Sequence, residues 1–130
     1  SLSVGETEDP TISRMTIVVR GDDSVLEQVV KQLNRLIDVI RVIDITQGKF
    51  IERELVLIKV KADTSTRSEI IQIAEVFRSH IVDVSTSSMT IEVTGNQDKV
   101  TAIISMLSTF GIQEIARTGT VALLRDSVPK

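Results

Sequence analysis

No cysteine, tryptophan or tyrosine occurs in this sequence, which has one histidine and three phenylalanines among its 130 residues. Without cysteine there is no disulfide framework, no thiolate nucleophile and no cysteine metal site. Three Phe with no other aromatic leave few platforms on which unpaired bases stack. Charge argues the same way, because 15 basic residues are spread along the chain against 18 acidic ones, for a net charge of −3 and no basic patch. No nucleic-acid partner is expected. Nor does any apolar run approach the roughly 18 residues of a membrane helix, and the N-terminus has neither the basic nor the apolar region of a signal peptide. The expected setting is the interior of a cell or organelle, with no membrane partner.

What the chain does have is 42% hydrophobic residues and a length that fits two small domains. It also repeats itself. Met15-Thr16-Ile17-Val18-Val19-Arg20-Gly21 returns as Met89-Thr90-Ile91-Glu92-Val93-Thr94-Gly95, an offset of 74 residues (89 − 15). At that offset Leu26 falls on Val100, Val29 on Ile103, Val30 on Ile104, Leu33 on Leu107 and Leu36 on Phe110. One fixed spacing across a strand pattern and a helix pattern marks two copies of one supersecondary unit.

The first unit opens with the alternating Ser1 to Gly5, closed by a polar turn ending at Pro10. Ile12 to Arg20 follows as a half-buried strand with Met15, Ile17 and Val19 on one face. Asp22, Asp23 and Ser24 offer N-cap oxygens, Ser24-Val25-Leu26-Glu27 fits a capping box, and the apolar stripe predicts a helix over residues 23–36. Val39 to Thr46, β-branched with charges interleaved, reads as the next strand. In the second unit Val56, Ile58, Val60 and Ala62 form the dry face of a strand, with Lys59 and Lys61 on the wet one. Thr66-Arg67-Ser68-Glu69 is a second capping-box pattern before Ile70, Ile73, Ala74 and Phe77. Ile81 to Ser85 is a short strand, and Met89 to Thr94 faces Met89, Ile91 and Val93 inward. Asn96 caps the helix bearing Val100, Ile103, Ile104 and Leu107, Gly111 closes it, and Ile112 to Arg117 is the last strand. Strand, helix, strand, strand, helix, strand is the split βαβ of the ferredoxin-like sandwich. The fold class is therefore α+β: two tandem ferredoxin-like units, antiparallel sheets with helices on one face, divided as residues 1–48 and 49–130. Carried back by 74, the opening strand of the second unit at Leu55 lands before Ser1. The first unit is expected to lack its opening strand and helix and to be the less stable half.

An ordered set of pieces resembles one family. Ser3-Val4-Gly5, Gly21-Asp22-Asp23, Glu27-Gln28 with Lys31-Gln32-Leu33, and Asp44-Ile45-Thr46 come first. Then come Glu52-Arg53-Glu54-Leu55 with Leu57-Ile58-Lys59-Val60, Ile81-Val82-Asp83-Val84, Glu92-Val93-Thr94-Gly95 and Glu114-Ile115-Ala116-Arg117-Thr118-Gly119. Together they are similar to the small, regulatory subunits of acetolactate synthase, also called acetohydroxyacid synthase. The resemblance implies a partial ACT domain over 1–48, an ACT-like βαββαβ domain over 49–130, and a homodimer. It implies a catalytic large subunit as partner, activated by this chain and made sensitive to valine or a related branched-chain amino acid. Thiamine diphosphate would belong to that partner, so no cofactor and no catalytic residue is expected here. The setting becomes the cytoplasm, or the plastid stroma in a plastid-bearing organism. The family's effector loop joins the first strand to the first helix. Its match would precede Ser1, so no effector-binding residue is assigned.

Each remaining polar candidate has a plainer reading. His80, at a helix-to-strand junction without cysteine neighbours, reads as an exposed residue rather than a ligand or base. Asp22 and Asp23 suit a cap better than a metal. Arg117-Thr118-Gly119 is not followed by a phosphate-binding helix and reads as a strand end contacting a neighbour. Lys59 and Lys61 are solvated or at a subunit contact. The alternative function is an ACT-type amino-acid-binding module serving another metabolic enzyme; an enzyme in its own right would need a catalytic cluster, and none is visible.

Overall fold

A computed structural model describes residues 1–46 and 48–126. In chain order these hold β1 (Leu2–Glu6), β2 (Ser13–Ile17), α1 (Asp23–Asn34), β3 (Phe50–Lys61), α2 (Arg67–Val76), β4 (His80–Val84), β5 (Ser88–Gly95), α3 (Gln97–Ser108), β6 (Ile112–Arg117) and β7 (Val121–Leu124). The chain divides into two compact units. One is Ser1–Ile51 with residues 122–126, and the other is Glu52–Val121. The division by contacts thus joins residues 122–126 to the first unit, whereas the sequence reading carried the second unit through to residue 130.

In the second unit the strands run β4-β5-β3-β6. Numbered within the unit, that is the order 2-3-1-4, the antiparallel ferredoxin-like sheet. The dry faces lie where alternation put them: Val56, Ile58 and Val60 of β3 and Ile91 and Val93 of β5 are fully buried, with Ala62 and Met89 almost so. Register explains the match, because Ile58 faces Ile91 and Val56 faces Val93 across the two central strands. Ile70 and Ala74 of α2 and Val100, Ile103 and Leu107 of α3 close the core over that face. Each such Val, Ile or Leu contributes about 1.5–3 kcal/mol relative to an exposed position. Gly111, at φ +98°, ends the helical stretch, and its carbonyl accepts from Lys61 N–H at 2.8 Å, returning the chain to the sheet.

The first unit contains the β1–β2 hairpin, with Val4 opposite Met15 and Leu2 opposite Ile17. Its turn is closed by Asp9, whose carboxylate accepts from Thr11 N–H and Oγ. No residue of α1 is buried. The expected inward face of β2 is open as well: Met15 is 56% exposed, more than Thr16 on the other face.

Three sequence expectations are corrected. Val39 to Thr46 is not a strand. A strand persists only against a partner that completes its ladder, and among the described residues no strand pairs with this segment. Its backbone turns on itself, with Thr46 N–H on the Asp44 carboxylate at 3.0 Å and Gly48 N–H on the Ile45 carbonyl. Ser24 does not cap α1; its hydroxyl donates to Asp22 Oδ1, and Asp22 is the cap. Thr66 stands at the N-cap of α2 without a side-chain cap bond; Asp63 accepts from Ser65 N–H at 2.9 Å and Thr66 N–H at 3.1 Å instead. A strand absent from the sequence reading, β7, pairs with β3.

The 74-residue repeat survives at atomic detail. Asp22 accepts from Val25 N–H at 3.1 Å, and Asn96, its counterpart, accepts from Lys99 N–H at 2.9 Å, both from extended backbone. Gly21 and Gly95 precede them, each facing the residue whose amide the cap holds. A Cβ on Gly21 would stand 2.9 Å from Val25 Cβ, and one on Gly95 would stand 2.5 Å from Lys99 Cδ. Gly21 is also at φ +150°.

Candidate functional site

Among the described residues Glu54 is the one charged side chain that is buried, 7% exposed, and it lies at the core of the second unit. It shares its face with Val56 because residues two apart on a strand point the same way. Arg117, opposite Val56 on β6, donates to Glu54 Oε1 through Nε at 3.0 Å and Nη2 at 2.6 Å. Thr118 continues the fastening: its N–H donates to the Leu55 carbonyl, and its hydroxyl oxygen accepts from Leu55 N–H at 3.1 Å. Gly119 turns at φ +83° toward β7. The Arg117-Thr118-Gly119 segment therefore binds β6 to β3, and its guanidinium serves an internal carboxylate rather than an anion from outside. Glu54 was missed in the sequence, although alternation backward from Val56 placed it on the dry face.

Neither helix of the second unit packs on the opposite face of the same sheet. Lys59 Nζ meets Glu114 Oε2 at 2.8 Å across β3 and β6. That hydrogen bond raises the Lys59 pKa and lowers that of Glu114, with the charge attraction second in each case. Asp83 adds a weaker attraction for Lys59. His80 begins β4, exposed, with Glu92 of β5 as its cross-strand partner. Lys61 is exposed at the end of β3. This is a solvated ladder of alternating charge, worth little in stability.

At the helix starts, Asp22 is pulled below its ordinary pKa first by the Ser24 hydroxyl and then by the Val25 N–H, while Asp23 sits in the first turn of α1. Asp63 is lowered by the Ser65 hydroxyl and the amides that follow. These carboxylates are used by backbone. Among the described residues no group of three or more His, Asp or Glu side chains is placed to hold a metal, and no helix is long and apolar enough to cross a membrane.

Polar side chains in this chain fasten strands and cap helices, and both helices of the second unit lie on one face of its sheet. The class so defined is a tandem ferredoxin-like protein of ACT type. Residues 53–126 match the family described as the small subunit of acetolactate synthase, and residues 1–41 match the AHAS small subunit-like ACT domain. The chain is 57% identical over 126 residues to the acetolactate synthase small subunit of Aquifex aeolicus, covering 96% of this chain and 66% of that one. It is 55% identical over 127 residues to the probable acetolactate synthase small subunit of Archaeoglobus fulgidus, covering 98% and 79%. Its fold is similar to the crystal structure of the acetolactate synthase small subunit from Thermotoga maritima, with a TM-score of 0.85 at 45% identity over 98% of this chain and 80% of that one. The chain belongs to the family of acetolactate synthase small subunits, the regulatory subunits of that enzyme in branched-chain amino acid synthesis.

Proposed function

We propose that this chain binds the thiamine-diphosphate-dependent catalytic subunit of acetolactate synthase, raises its activity, and takes part in its feedback inhibition by valine or a related branched-chain amino acid. It acts as a homodimer in a soluble compartment, cytoplasm or plastid stroma, and contributes no cofactor of its own. The observation that carries this reading is the family match in order along both units, ACT domain then C-terminal domain. Feedback requires an effector that binds one state better than another. No residue of this chain is proposed as an effector ligand.

The test is reconstitution. Mixed with the catalytic subunit from the same source, the chain should co-elute with it and increase acetolactate formation. Failure of both, with recovery of a different metabolic enzyme from the source cell, would replace this reading with the ACT module of another system. The effector has a separate check: valine titrated into the reconstituted complex should lower acetolactate formation, and a rate unchanged by valine, leucine and isoleucine would overturn the feedback part of this reading.

A further inference from the structure

We draw no further inference here: the strongest candidate, the apolar groove between α2 and α3 lined by Ile73, Val76, Phe77 and Met106, carries none because nothing in the structure shows what covers it.

Discussion

Ile91 and Thr90 are neighbours in β5 that point to opposite sides, one fully buried and the other half-buried on the open face. Ile91→Ala removes buried volume between Ile58 and the two helices, and urea unfolding of the second unit should show a loss of about 2–5 kcal/mol. Thr90→Ala should cost less than about 1 kcal/mol, as a substitution away from the core does. Comparable losses would mean the register is wrong. At this scale the dry faces were legible because a period of two leaves no freedom once one residue is known to be inside. The partners of Glu54 and the cap at Asp63 were not. A capping-box pattern names residue types, and Thr66-Arg67-Ser68-Glu69 satisfied it. Which oxygen reaches the amides depends on the backbone of the turn before it, and there Asp63 is better placed.

Helix ends show how an element settles a conflict that its residues do not. After α2, Arg78 adopts φ +51° so that its N–H can reach Glu75 C=O at 3.0 Å and Ser79 N–H can reach Ala74 C=O at 2.9 Å. A side chain there opposes the left-handed conformation, and Gly would adopt it freely. Arg78→Gly should raise the denaturant stability of the second unit by about 0.5–1 kcal/mol; a loss would show that the arginine side chain contributes more than its backbone costs. The strands tell a different story. Val39 to Thr46 had the composition of a strand and is none, while Val121 to Leu124 is a strand that its four apolar residues did not announce. Composition sets what a segment tolerates. Pairing decides whether it is a strand, and pairing is a property of two segments.

The whole molecule is uneven. The second unit encloses a two-layer core, whereas the apolar stripe of α1 in the first, Leu26, Val29, Val30 and Leu33, is only half-buried and Ile37 and Ile40 stand 99% and 80% exposed. Opening of a region is resisted by its buried apolar contacts, so amide exchange should be slower over residues 53–117 than over 12–46. The reverse order would contradict this distribution of burial. The tandem plan, the helix pattern and the order of elements along the second unit were all readable from one repeat and two periodicities. The groove between α2 and α3 was not, because it is formed by two helices whose spacing no single stretch encodes.

The repeated helix start carries one further consequence. Both copies place an oxygen acceptor over the amide three residues on, but one acceptor is the carboxylate of Asp22 and the other the amide of Asn96. The folded-state pKa of Asp22 is depressed, so its contribution is present above the unfolded value and is lost as pH falls through the folded one. Asn96 takes up no proton. Below about pH 4, near the ordinary aspartate pKa, Cα shifts at Val25 and Leu26 should drift toward coil before those at Lys99 and Val100; simultaneous loss would deny Asp22 this role. Duplication has thus left one helix whose cap is a proton-binding carboxylate and a twin whose cap is an amide that binds none.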